Sequence, residues 1–193
     1  MSDPDQIRKR IGEAQTILAA LGLPPDQQKL VPALTLLALC RLTPDRPWRD
    51  ASRPLIGVSP IMDYVNAHYD VSYRENSREM FRKSAIHYFQ AAHLIVKNPD
   101  DPNRPTNSGK TVYQWTDEAL SLIRSFGTDA WAERLPAYMA VMGSLTDRFS
   151  PRRALEHVPL KVAPGRRVRA VLIRVAPTGH SRNGRTTRRH PRR

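Results

Sequence analysis

The stretch from Ser72 to Ala92 constrains this chain more than any other, because its apolar residues and its charges fall on opposite sides of a helix. Phe81, Ala85, Tyr88 and Ala92 recur at i, i+4, i+7 and i+11, and Glu79, Lys83 and Gln90 lie opposite them. A helix with this pattern buries one face and leaves the other free. Two starting points compete, Ser72 with Glu75 and Asn76 with Glu79, each a capping side chain three residues before an acid. With Asn76 as the cap, Arg78, Arg82 and Lys83 occupy the first two turns, which is the end of a recognition helix that enters a major groove. Arginine suits that place because its planar fork can bond two acceptors of guanine or clamp a phosphate. The plainer reading is a solvated face, in which Glu75 with Arg78 and Glu79 with Lys83 form ordinary pairs worth ~0.2–0.5 kcal/mol each.

The neighbours favour the first reading. Ser59-Pro60 gives a cap followed by proline at the first helical position, and Ile61, Met62, Val65 and Tyr69 supply an apolar face. Segments 59–69 and 72/76–92 thus form a helix-turn-helix. After it, Leu94 to Lys97 and Thr111 to Trp115 are rich in β-branched and aromatic residues and flank a loop dense in turn formers, which predicts a hairpin with a long tip. A hairpin directly after a helix-turn-helix is a wing. The candidate DNA-binding residues are Arg74, Asn76, Ser77, Arg78, Arg82 and Lys83 around the helix, and Lys97, Arg104, Asn107 and Lys110 on the wing. Arg78 and Arg82 are expected to discriminate bases, and Arg104 and Lys110 to meet phosphates.

The rest of the chain supplies a core. Asp3-Pro4 opens a helix with Ile7, Ile11, Ala14, Leu18 and Leu21 on one face and Gly22 as its stop. Pro32 to Leu39 is apolar on nearly every side and reads as a central helix with Pro32 in its first turn. Thr43 to Gly57 is a loop pinned by Trp48. Thr116 caps a helix with Leu120, Ile123 and Phe126 inward, and Thr128 starts another containing Trp131, Leu135, Tyr138, Met139, Met142 and Leu145, which Pro136 should kink or divide. The predicted fold is mainly α: a winged helix-turn-helix with extra flanking helices over residues 1–150, then a disordered, Arg-rich tail over 151–193.

Charge has to be located before it is used. Of the net +13, residues 1–151 carry +1 (18 Lys and Arg against 17 Asp and Glu) and residues 152–193 carry +12 (13 against one). Basicity is therefore no argument about the folded part, which can bind nucleic acid only through a local cluster. The lone Cys40 excludes an intrachain disulfide and, inside Leu36 to Cys40, reads as a buried structural thiol. His87 and His93 read as packing or surface residues, and no metal spacing or Gly-rich phosphate loop is present. No apolar run approaches the ~20 residues of a membrane span, and the acidic start is unlike a signal peptide, so a cytoplasmic protein with no membrane partner is expected.

From Ala33 to Phe149 several segments in one order resemble the N-terminal helix-turn-helix region of the BsuBI/PstI family of type II restriction endonucleases. They are Ala33 to Leu39, Pro60 to Asp63, Asn76 to Lys83 with His87 and Phe89, Asn98 to Ser108, and Phe126 to Trp131. The resemblance implies a domain that docks on a short double-stranded DNA site, in enzymes cut-competent through a separate Mg²⁺-dependent nuclease domain. Such nucleases place a Lys two residues after a metal-holding acid. Here Lys9, Lys29, Lys83, Lys97, Lys110 and Lys161 follow Ile7, Gln27, Phe81, Ile95, Ser108 and Pro159 at that spacing, and residues 152–193 contain no Asp and only Glu156. The sequence thus leads us to expect a chain truncated before its nuclease domain, with no catalytic residue, metal site or cofactor of its own. The tail fits either a non-specific nucleic-acid binder or an out-of-frame translation. The alternatives for the whole are a free-standing winged-helix transcriptional regulator and a subunit that pairs with a separately encoded nuclease half.

Overall fold

A helix with no polar face must be covered on every side, and the fold is arranged to do that for Pro32 to Leu39. The structure, a computed structural model, describes residues 3–105 and 108–143. All of these belong to the unit Met1–Arg152. The expected boundary at residue 150, Leu145, Asn107 and the Arg-rich tail lie outside the described residues. The architecture is mainly helical: α1 (Pro4–Ala20), α2 (Leu30–Leu39), α3 (Val58–His68), a composite α4 over 78–91, a hairpin of β1 (Ile95–Lys97) and β2 (Tyr113–Trp115), then α5 (Asp117–Arg124) and α6 (Asp129–Met142). Among the described residues, no helix is long and apolar enough to cross a membrane.

Every residue of α2 from Pro32 to Leu39 is buried. Its one polar side chain, Thr35, donates to the Val31 carbonyl at 2.8 Å, so no unsatisfied hydroxyl is carried into the core. Each buried leucine is worth ~1.5–3 kcal/mol. α1 lies along α2, starting as expected from Asp3, whose Oδ1 accepts the Asp5 N–H at 3.1 Å, and turning away at Gly22 with φ of 74°. Ala14, Ile17 and Leu18 of α1 are buried, while Ile7 and Ile11 pack at the edge.

The loop after α2 is held by a charge that composition does not reveal. Arg10, only 8% exposed, reaches from α1 to the Pro44 and Arg46 carbonyls, pairs with Glu13 at 2.8 Å and stacks over the Trp48 ring at 5.1 Å. Trp48 Nε1 donates to the same Glu13 carboxylate at 2.8 Å. The loop also contributes to the sheet, which was not expected: Ile56 exchanges both backbone hydrogen bonds with Tyr113, at 3.1 and 2.9 Å, on the side of β2 away from β1.

Two helix limits differ from the sequence reading. α3 starts one residue before Ser59, with extended Gly57 in the capping position and no side-chain cap. A Cβ on Gly57 would stand 3.1 Å from the Thr111 carbonyl oxygen, so glycine permits the hairpin to approach the start of α3. α6 runs through Pro136 undivided. Its missing N–H affects only an exposed side of the helix, where water can satisfy the freed carbonyl.

Burial raises the Cys40 thiol above its ordinary pKa, in keeping with a structural role. Burial likewise raises the Tyr69 hydroxyl, which donates to the Leu42 carbonyl at 2.5 Å and ties the end of α3 to the end of α2. Replacing Tyr69 with Phe strands that buried carbonyl and is expected to cost about 1–2 kcal/mol. Urea unfolding checks this; unchanged midpoint and slope would show that the bond contributes nothing.

Candidate nucleic-acid interface

The free face of α4 is set by a change of helical pitch. A 3₁₀ turn, Glu75–Ser77, leads into an α turn, Arg78–Phe81, then a π turn, Arg82–Ile86, and a last α turn, His87–Ala91. Backbone angles stay right-handed helical through each junction, so the run is one rod. In the π turn the His87 N–H bonds the Arg82 carbonyl five residues back, which adds one residue to that turn. The buried stripe is consequently Phe81, Ala85, Ile86, Phe89 and Ala92. Tyr88, expected in the stripe, is displaced to its edge, and Phe89 takes its place.

Neither expected cap starts the rod. It begins after extended Arg74, whose carbonyl accepts the Ser77 N–H at 2.8 Å. The cause lies in the turn from α3. The Asn66 amide bonds both backbone groups of Tyr73, accepting from its N–H and donating to its carbonyl, each at 2.8 Å. Asn alone provides acceptor and donor at that reach, since Asp lacks the donor and Gln is longer. The Tyr73 ring then meets Phe81 edge-on at 5.0 Å, and Asp70 takes a left-handed φ of 51°. Asn66 was missed in the sequence because one amide inside an amphipathic pattern looks like any solvated side chain.

The hairpin pairs Ile95 with Trp115, Val96 with Gln114 and Lys97 with Tyr113. Between it and α4 runs a groove of about 320 Å³ with Ile86 and Tyr113 in its floor and Arg82, Lys83, His87 and Lys97 along its sides. Beside it a smaller cleft of about 90 Å³ lies between α4, the first turn of α3 and the hairpin tip, lined by Arg78, Arg82, Ser59 and Gly109 among others. Arg78, Arg82, Lys83 and Lys97 are thus brought to one surface, with Arg82 shared by both hollows. Gln90, read onto the free face, and His87, read as a packing or surface residue, also line the groove. Arg74, Asn76 and Ser77 lie in the lead-in, the first two exposed and Ser77 half-buried. Lys110 is exposed at the tip. The acids here are Glu75, 2.6 Å from Arg78, and Glu79, 3.7 Å from Arg82 and 3.5 Å from Lys83. All three pairs are exposed, so they hold these cations weakly.

Arg104 differs from the other candidates. Its guanidinium, 13% exposed, is folded into the loop, donating to Asp100 at 2.6 and 3.2 Å, to Asn98 Oδ1 at 3.2 Å and to the Lys110 carbonyl at 2.9 Å, with Asp101 3.7 Å away. Hydrogen bonding from Arg104 holds the Asp100 carboxyl below the usual range. Asn98, with φ of 48°, accepts from Val112 N–H at 3.0 Å and donates its own backbone N–H to the Val112 carbonyl at 2.9 Å, closing the base of the same loop. Among the described residues, no group of three or more His, Cys, Asp or Glu is placed to hold a metal ion.

Residues 8–147 match the family described as the BsuBI/PstI restriction endonuclease HTH domain. The chain is similar to the type II restriction enzyme BsuBI of Bacillus subtilis, 39% identical over 162 residues that cover 84% of this chain and 51% of that enzyme. It is also similar to the type II restriction enzyme AplI of Arthrospira platensis, 27% identical over 151 residues covering 78% and 46%. The solved structure of the SdaI restriction endonuclease superposes with a TM-score of 0.67 at 35% identity, covering 72% of this chain and 44% of that one. The chain spans about half the length of the curated relatives it matches. With the helix, turn, helix and hairpin laid out above, these matches place the chain in the BsuBI/PstI restriction endonuclease family, as its helix-turn-helix domain.

Proposed function

We propose that α3, α4 and the hairpin act as a winged helix-turn-helix that docks on a specific site in duplex DNA, the recognition part of a type II restriction system. The observation that carries this reading is the convergence of Arg82, Lys83 and Lys97 on one groove, with Arg78 in the adjoining cleft. Four cations against two acids, Glu75 and Glu79, make a local excess of positive charge in residues 1–151, which carry +1 in all, the kind of cluster a nearly neutral domain needs to engage phosphates. That both curated relatives are restriction enzymes favours this over a free-standing regulator. Cutting would fall to a Mg²⁺-dependent nuclease part distinct from this domain.

The full chain, with a polyanion competitor present to suppress binding by the basic residues 152–193, should enrich a short sequence from a random duplex pool. A pool that stays random after selection would overturn the reading. On the enriched duplex, Lys97→Ala and Lys110→Ala should each reduce the log–log salt slope by roughly 0.9, the value for one released counterion. Arg104 is assigned to wing shape instead of phosphate. Arg104→Ala should therefore speed proteolytic cleavage within 98–110, with Arg104→Lys giving little rescue because one ammonium cannot span the same acceptors; unchanged cleavage would return Arg104 to the solvated surface.

No acid-x-Lys occurs in the sequence, so the 193-residue protein with Mg²⁺ is expected to leave plasmid DNA uncut. Site-specific, chelator-sensitive cleavage by a homogeneous preparation would contradict this.

A further inference from the structure

Arg78 and Arg82 do not stand on the outermost line of α4. The residues opposite the buried stripe are Glu79, Lys83 and His87, each exposed. Arg78 and Arg82 each sit one residue earlier, about 100° round the helix, on the side that faces the hairpin. Both line the small cleft, whose other walls include Gly57 and Ser59 from the start of α3 and Ser108 and Gly109 from the hairpin tip. At about 90 Å³, with two arginines and the hydroxyl-bearing Ser59, Ser108 and Thr111 in its lining, the cleft suits a small anion such as one phosphate group. Each guanidinium touches one carboxylate, Glu75 or Glu79, and keeps further N–H donors.

We propose that Arg78 and Arg82 together hold one backbone phosphate of the bound duplex in this cleft, and that base discrimination belongs to the outward row Glu79, Lys83 and His87. This reverses the roles read from the sequence, in which the two arginines discriminate bases. The chemistry of the row fits that duty. Lysine can donate to guanine O6 and N7, and glutamate can accept from the cytosine amino group. The Glu79–Lys83 contact of 3.5 Å keeps the two side chains adjacent, so they would meet neighbouring base pairs. The arginines, exposed beside the start of α3 and the hairpin tip, would fix the register in which the row is presented. A phosphate clamp also needs only charge and donors, whereas a guanine contact by arginine needs its planar fork.

The proposal rests on the DNA-docking reading, and its test separates the two. The full chain, Arg78→Ala, Arg82→Ala, their Lys counterparts, Lys83→Ala and His87→Ala are titrated against the selected duplex and a random one. All these side chains are exposed, and circular dichroism verifies that each variant is folded. The Ala variants at 78 and 82 should weaken both duplexes by about tenfold, leaving the selected-to-random ratio unchanged, and the Lys variants should recover most of the loss. Lys83→Ala or His87→Ala should instead narrow the ratio. A further series replaces single phosphates of the selected duplex by neutral methylphosphonate. One position should weaken the parent protein about tenfold and cost either Ala variant clearly less. The assignment fails if Arg78→Ala and Arg82→Ala narrow the ratio without rescue by Lys, if the row variants leave it unchanged, or if every methylphosphonate costs the variants as much as the parent. Failure to obtain any preferred duplex is the separate outcome that removes the docking reading itself.

Discussion

Everything in this fold is positioned by the need to enclose α2. Pro32 to Leu39 offers no side to water, so α1, α3, α4 and β2 all pack against it. The hierarchy of energies follows. Phe81, Ala85, Ile86 and Phe89 fasten α4 to that core, each large apolar side chain at ~1.5–3 kcal/mol, whereas the ion pairs on its outer face are worth ~0–1 kcal/mol each. The rotation of α4 about its axis is thus decided from inside. Its charges are presented wherever the core requirement leaves them, and a change in the buried stripe would re-aim the outer face without touching a charged residue.

The electrostatics support a surface that acts locally. At physiological ionic strength exposed charges are screened over ~8 Å, so a cluster matters where a sum does not. The balance of +1 over residues 1–151 would suggest indifference to a polyanion. Yet Arg78, Arg82, Lys83 and Lys97 gather around two adjoining hollows, while other arginines are engaged within the fold: Arg104 in its loop and Arg10 over Trp48. The first kind of arginine is free to meet a ligand. The second kind is architecture, and sequence alone does not distinguish them.

That distinction marks how far the sequence could be read. Among the described residues, the order of the helices, the central helix and the hairpin were legible because apolar period, caps and turn formers all act within a few residues of one another. Asp3, Gly22 and Thr116 serve as the local rules say they should. What was not legible depends on contacts distant in sequence. Ile56 pairs with Tyr113, Gly57 lies under Thr111, and these fix the start of α3 and the place of the hairpin. Asn66 sets the lead-in to α4 by gripping Tyr73 seven residues on, and no side-chain cap forms at the start of the rod. Arg78, Arg82, Lys83 and Lys97, singled out from the sequence, do come to one surface. Arg104, by contrast, reads the same as Arg82 until the loop closes around it.

The π turn gives the clearest case of pitch acting on chemistry. In an uninterrupted α-helix each step of four residues advances about 40° beyond a full turn, so a row at 79, 83 and 87 would drift by about 80° along its length. The wider turn at Arg82–Ile86 rotates less per residue and cancels much of that drift between Lys83 and His87. The row therefore runs more nearly parallel to the helix axis, and His87 comes to line the same groove as Arg82 and Lys83. The same added residue brings Phe89 into the core in place of Tyr88, so the inner packing and the outer alignment are two results of one insertion. A pitch change that buries a phenylalanine is stabilised by the core it serves. The outer row is kept straight by that burial and needs no interaction among its own exposed side chains to hold it.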